Sequence, residues 1–223
     1  MLAMLNYEVD PGLLNALVPA GTELDRWQGR LYVSLVGFRF LDTRVLGIPI
    51  PFHRDFDEVN LRFYVRSRAG DEVRRGVVFV REVVPKWAIA KIARNVYNEK
   101  YVSLPMRHRI ELPQVQYEWR TRSGWSSLQI ATQGEAFMPD EGSEEQFITE
   151  HYWGYAAQRD GSSVEYRVEH PSWKVWTGAE AKFTGDVEEL YGKDLAGVLK
   201  SPPLSAFLAE GSAVSVGRGN TLR

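Results

Sequence analysis

The 223-residue sequence predicts a mainly β (α+β) fold, a closed antiparallel β-barrel with one prominent helix near residues 86–98, in a single domain spanning 1–223. Three observations carry this. Segments in which apolar and polar residues alternate recur along most of the chain, and a period of two is that of a strand. Only "KWAIAKIARNVYNEK" has a long helical period, with Trp87, Ile89, Ala90, Ala93 and Val96–Tyr97 on one broad face and Lys86, Lys91 and Arg94 elsewhere. No repeat, linker or composition shift divides the chain. Closing such a sheet removes edges that would otherwise pair between molecules, hence the expected barrel. A barrel of moderate size can enclose a ligand cavity.

The elements follow in order. "LAMLNYEV" reads as a strand. "DPGLLNALVP" opens a short helix, with Asp10 as N-cap and Pro11 at the first helical position, and Pro19 ends it. "TELDRW" and "RLYVSLVGFRFLDTRV" read as strands, and Gly37 in the second predicts a bulge or bend. "LGIPIPFHRDF" is a proline-bearing loop. The strand "EVNLRFYVRS" then joins "EVRRGVVFVREVV" through the turn "AGDE". Past the helix come "YVSLPMRHRIELP", "VQYEWRTRS" and "WSSLQIATQGEAF", the last two joined by a hairpin turn at "RSGW". Ser143 and Gln146 form a capping-box pattern for a short acidic helix, "SEEQFITEHYWGYA". "SSVEYRVEH" and "WKVWTGAEAKFTG" read as strands, "DVEELYGKDLAGVLKS" as a polar, short helical stretch, and "GSAVSVGRGN" as a closing strand with a loose end.

Composition narrows the function classes. With 27 basic and 29 acidic residues the net charge is −2, which argues against nucleic acid as a partner. The chain has no cysteine, so disulfides, thiol catalysis and thiolate metal sites are excluded, and the absence fits a reducing compartment. No apolar stretch is long enough to span a bilayer and no signal-peptide pattern is visible, so a cytoplasmic protein with no membrane partner is expected. No phosphate loop, dinucleotide fingerprint or Ser–His–Asp signature appears, and no cofactor is expected. Seven Trp, ten Tyr and ten Phe suit strands and apolar pockets.

The strand after the proline loop holds the candidate site. Val59, Leu61, Phe63 and Val65 form an apolar row, while Glu58, Asn60, Arg62, Tyr64 and Arg66 form the alternating polar row. If the polar row is in water, this is an ordinary half-buried strand. If it lines a cavity, Arg62 is a bidentate clamp for a carboxylate, Glu58 a general acid or base raised by a dry surrounding, and Asn60 and Tyr64 orient the ligand. Both readings stay open on the sequence. His53, His108, His151 and His170 lack the close spacing of a helical metal site, so they read as separate surface or loop residues and no metal is expected. His170, near Trp173, is placed to hold a turn. The basic stretch Arg107–His108–Arg109 reads as a solvated strand face, and Trp153, Tyr155, Trp173 and Trp176 as core packing or the floor of a pocket.

Four segments, "VDPGLLNALVPAGTELDRWQGRLYVSLVGFRF", "EVNLRFYVR", "ARNVYNEKYVSLPM" and "VEHPSWKVW", resemble the YqjF-like family, domain of unknown function 2071, over almost the whole chain. That family is distantly similar to acetoacetate decarboxylase, and the similarity implies a β-barrel around a buried site. It also implies two candidate catalytic residues. The decarboxylase forms a Schiff base through a lysine whose pKa a neighbouring cation lowers. The similar place here is "YNEKYVS", where Lys100 stands alone rather than in a lysine pair. The decarboxylase's acidic residue is loosely similar to Glu58. The expected function is binding of a small organic acid, a carboxylate, inside the barrel, with proton-transfer or lyase-type chemistry. The alternative is a non-catalytic barrel that binds or senses an apolar metabolite, and a homo-oligomer is open in either case.

Overall fold

The computed structural model describes residues 1–45, 48–49, 55–85 and 100–222. The expected helix near 86–98, His53 and most of the proline-bearing loop lie outside the described residues. The strands in chain order are β1 (Leu2–Glu8), β2 (Glu23–Leu24), β3 (Tyr32–Phe40), β4 (Arg44–Val45), β5 (Ile48–Pro49), β6 (Phe56–Ala69), β7 (Glu72–Val84), β8 (Tyr101–Ser103) and β9 (Met106–Glu111). There follow β10 (Gln114–Thr121), β11 (Gly124–Phe137), β12 (Trp153–Ala157), β13 (Ser163–Glu169), β14 (Val175–Thr184), β15 (Ser205–Ala209), β16 (Ser215–Val216) and β17 (Asn220–Leu222). The described helices are α1 (Pro11–Leu14), continued by a 3-10 turn at Asn15–Leu17, α2 (Glu144–Thr149) and α3 (Glu188–Leu199).

Among the described residues, fifteen strands make one sheet in the order β16-β13-β12-β7-β6-β3-β1-β15-β14-β11-β10-β9, with β17, β2 and β8 attached at its sides. The end strands do not pair. The sheet is therefore open, and the expected closed barrel is corrected. Nor is the sheet wholly antiparallel, because β7 pairs in parallel with both β12 and β8. The chain passes from the β7 side to the β10 side at Leu104–Pro105, between β8 and β9. Leu104 still donates its N–H to Val84 O on the β7 side, at 3.0 Å, whereas the Pro105 carbonyl accepts from Arg120 N–H on the β10 side, at 2.9 Å. β8, three residues long, ladders with β7 and β9 ladders with β10, and among the described residues neither strand ladders with both sides. A side-chain bond from His108 Nδ1 to Asp57 Oδ2, at 2.8 Å, ties β9 to β6 across the sheet.

Local signals set several elements as expected. Asp10 caps α1 by accepting from Gly12 N–H at 2.6 Å. Ser143 Oγ accepts from Gln146 N–H at 3.1 Å, and the Gln146 side chain reaches back to Gly142 N–H at 2.7 Å. The helix ends at Thr149, and Trp153–Ala157 is a strand rather than its continuation. Gly37 forms no bulge: Ala3, Gly37 and Val59 stand in unbroken register across β1, β3 and β6. A Cβ there would lie 2.7 Å from the Tyr117 ring, so the glycine makes room for an aromatic side chain. The helical stretch near the C-terminus is less polar in place than in sequence. α3 kinks at Gly192, whose φ is 77°, and buries Leu190, Tyr191, Leu195, Ala196 and Leu199.

Two cores lie on opposite faces of the sheet. The larger takes Leu5, Leu35, Leu61, Phe63, Tyr117, Trp119 and Leu128 from the strands and is covered by α3. The smaller collects Met4, Tyr32, Val36, Tyr64, Phe207 and Trp173, with Phe147 and Ile148 of α2 packed on it. β6 runs between them. Its apolar row belongs to the first core, and its other row looks toward the second.

Candidate functional site

β6 is flanked by β3 and β7, and their registers place Phe38, Val36 and Ser34 beside Glu58, Asn60 and Arg62, with Glu82 beside Asn60 on the other side. Glu58 and Asn60 are each only 2% exposed. The polar row is thus buried at Glu58 and Asn60. Asn60 Nδ2 donates to Glu58 Oε1 at 3.0 Å, and the Tyr101 hydroxyl donates to Glu58 Oε2 at 3.2 Å. Burial pushes the Glu58 carboxyl up to about 7, while the Asn60 and Tyr101 hydrogen bonds and the Arg62 charge oppose the rise. The rings of Phe38, Phe40 and Phe56 run alongside, with centroids 4.9 and 4.8 Å apart along the chain of three.

Arg62 is partly exposed. Its Nη2 donates to Ile148 O at 3.2 Å and lies 4.0 Å from Met4 Sδ, and its guanidinium carbon stands 5.7 Å from the Tyr64 ring centre. Its Nε is buried with no hydrogen-bond partner, and so is Asn60 Oδ1. Tyr64 turns into a chain of hydroxyls and amides. Its OH shares a 2.7 Å hydrogen bond with Ser34 Oγ, Ser34 bonds Asn6 Oδ1 at 2.7 Å, and Asn6 Nδ2 donates to Ser205 Oγ at 3.0 Å. Ser205 in turn donates to Glu144 of α2. This chain fastens four strands and a helix together on the same face as Glu58.

A second buried polar group lies beside Tyr64. His151, expected at the surface, is buried: its ring centre is 4.7 Å from that of Tyr64 and 4.9 Å from that of Phe147. Its Nε2 lies 3.4 Å from Asp25 Oδ2, and Arg75 Nε lies 2.8 Å from the same oxygen. Burial alone would raise the Asp25 carboxyl, but the His151 hydrogen bond and the Arg75 charge hold it below its ordinary value. Burial pushes His151 below its ordinary value, while the hydrogen bond and charge of Asp25 oppose the fall. The sequence read Asp25 as part of a strand, but β2 ends at Leu24 and leaves it free to turn inward.

Of the residues singled out in the sequence, Glu58, Asn60 and Arg62 are brought together and Tyr64 borders them. Lys100 is exposed just before β8, and its backbone O accepts from Glu82 N–H at 3.3 Å. Its neighbour Tyr101 is the residue that reaches Glu58. Sequence reasoning missed Tyr101, although the pair "KY" stood in the segment it examined. The other groups take structural places. His170 stacks on Trp173 at 3.9 Å and bonds Pro171 O, as its position near the turn suggested. Arg107 and Arg109 pair with Glu118 and Glu111 at the surface. Tyr155 and Trp173 are buried packing. An open cleft of about 620 Å³ near Tyr152, His170 and Val214 does not involve the β6 row. Among the described residues, no group of three or more His, Asp or Glu side chains is placed to hold a metal ion, and no helix is long and apolar enough to cross a membrane.

Comparison with solved structures defines the class of fold. Acetoacetate decarboxylase from Legionella pneumophila subsp. pneumophila str. Philadelphia 1 superposes with a TM-score of 0.66 at 13% identity, covering 100% of this chain and 84% of that one. The enduracididine biosynthesis enzyme MppR, solved in complex with pyruvate, superposes with a TM-score of 0.66 at 14% identity, covering 99% and 87%. These likenesses establish an acetoacetate decarboxylase-like fold. The chain belongs to the DUF2071 family, described as an uncharacterised conserved protein, whose family profile matches residues 1–213. It is 25% identical over 170 residues to the uncharacterised protein YqjF of Bacillus subtilis (strain 168), covering 74% of this chain and 69% of that protein.

Proposed function

We propose that this protein binds a small organic acid against the polar row of β6. Arg62 takes the carboxylate, Asn60 and Tyr64 orient the ligand, and Glu58 accepts or donates the proton in a proton-transfer or lyase-type step. The observation that carries this is the burial of Glu58 beside Arg62, with its carboxyl pushed up to about 7. A group poised near neutral pH can exchange a proton in either direction. Lys100, the other candidate, is exposed, so the reading gives proton handling to Glu58. The pyruvate complex of MppR, a protein of the same fold, supports a carboxylate as the ligand class.

Thermal shifts of the wild type and Arg62→Ala against small carboxylates, oxo acids and apolar metabolites test this. A ligand at one hundred times its Kd stabilises by about 2.7 kcal/mol, which in a domain this size is roughly 5–10 °C. The expected result is a shift with carboxylates that disappears in Arg62→Ala. A shift with apolar compounds only, unchanged by the substitution, would overturn it. That outcome would favour the non-catalytic alternative, in which Phe38, Phe40 and Phe56 supply the binding surface.

A further inference from the structure

We infer that the acid bound at this site carries a hydroxyl group next to its carboxylate, so that a hydroxy acid is preferred to the oxo acid of the same skeleton. The inference rests on the function proposed above and specifies the ligand through two buried atoms of the β6 polar row, Asn60 Oδ1 and Arg62 Nε, that have no hydrogen-bond partner.

The first is Asn60 Oδ1. An asparagine amide has two N–H donors and one carbonyl acceptor. Here the amide nitrogen is committed to Glu58 Oε1 at 3.0 Å, so the amide presents its oxygen elsewhere. That oxygen has no partner, on a residue 2% exposed. It can only accept, so the group that satisfies it must donate. The second is Arg62 Nε, also buried and unpaired, which can only donate and therefore needs an acceptor. Nη2 of the same guanidinium is held by Ile148 O at 3.2 Å, which fixes where the free N–H lies.

The two residues are two apart in one strand and share a face, so their backbones stand about 7 Å apart. A carboxylate oxygen and a hydroxyl on the neighbouring carbon lie close enough to bridge them, given two hydrogen bonds of about 2.9 Å. The carboxylate meets Arg62 and the hydroxyl donates to Asn60. A ketone oxygen in the hydroxyl's place would meet the Asn60 oxygen lone pair to lone pair. This amide orientation is compatible with both states of Glu58. As a carboxylate, Glu58 accepts from Asn60 and Tyr101; protonated on Oε2, it donates to the Tyr101 oxygen and still accepts from Asn60.

Isothermal titration of the full chain with lactate and pyruvate, with 2-hydroxybutyrate and 2-oxobutyrate, and with alanine tests the inference. The hydroxy acid of a pair is expected to bind at least about tenfold tighter than its oxo partner, as sites with a buried polar group discriminate against ligands that leave it unpaired. In Asn60→Ala the preference should fall to about twofold or less, with the residual affinity still lost in Arg62→Ala. The wild-type comparison is decisive even if the Asn60 variant does not fold. Equal or tighter binding of the oxo acids, still abolished by Arg62→Ala, overturns the inference and leaves the carboxylate site standing. Tighter binding of alanine than of lactate overturns it in favour of an ammonium donor. If no compound binds, the proposed function fails and the inference falls with it.

Discussion

On one face of β6, Val59, Leu61, Phe63 and Val65 are buried in the larger core, and dispersion and water exclusion hold them without any partner atom in particular. On the other face, Glu58, Asn60, Arg62 and Tyr64 are held by hydrogen bonds, with two polar atoms left over. The two rows come from one strand and alternate residue by residue. The first face gives the sheet its stability. The second is incomplete, and an incomplete polar face inside a protein carries a cost that a bound ligand can offset. Substitutions on the two faces should therefore behave differently, in stability and in pH dependence.

The largest effect is expected on the apolar face. Phe63→Ala empties a fully buried site, and destabilisation of about 3–5 kcal/mol is expected, enough to lower Tm by roughly 10 °C. A thermal or urea melt reads this directly. A change under 1 kcal/mol would mean that the apolar row is not core, and the contrast between the faces would fail.

A second effect separates the polar face by its pH dependence. The Glu58 carboxyl holds its proton up to about pH 7 in the folded chain, against an ordinary value of 4.5. Between those limits the folded state binds more protons than the unfolded one, so stability must fall as pH rises. The contribution is complete below pH 4.5 and is lost on passing through about 7. At about 1.4 kcal/mol per pKa unit, the loss is about 3 kcal/mol. Glu58→Gln cannot ionise. Melts from pH 4 to 8 should show this part of the slope removed, with the variant more stable than the wild type at pH 8. An unchanged slope would place the titrating group elsewhere.

The smallest effect belongs to neither face. Arg109 and Glu111 form an exposed pair at 2.8 Å on β9. Solvent screens such pairs, and no measurable change in Tm is expected for Arg109→Ala. A clear loss there would show that the open edge of the sheet contributes more than its exposure suggests.

Features decided within a few residues were legible in advance. The Asp10 cap, the Ser143–Gln146 cap, the "AGDE" and "RSGW" turns and the turn held by His170 near Trp173 depend on neighbours in sequence. Features that depend on distant partners were not. β15 is a five-residue strand after two prolines, and what makes it a strand is pairing of Leu2 with Ala209 and of Val175 with that same residue. Nothing in "SAFLA" itself announces those partners. The role of Gly37 was misread for the same reason, since the ring that needs the space belongs to Tyr117. The inward turn of His151 depends on Asp25 and Arg75, which lie far away in the chain.

For the candidate site, the sequence by itself determined that β6 has two unlike faces, because side chains alternate in any strand. It also determined which residues stand together on each. Only the tertiary structure decided that Glu58, Asn60 and Tyr64 of the polar face are buried as well. Alternation records which side chains share a face and nothing about what covers it. The covering comes from α2, from Ser34 of β3 and from Tyr101, and their approach is a matter of long-range packing. The closure of the sheet was decided there too. A strand pattern specifies pairing edges, but β8 ladders with β7 and β9 with β10, and among the described residues the sheet stays open.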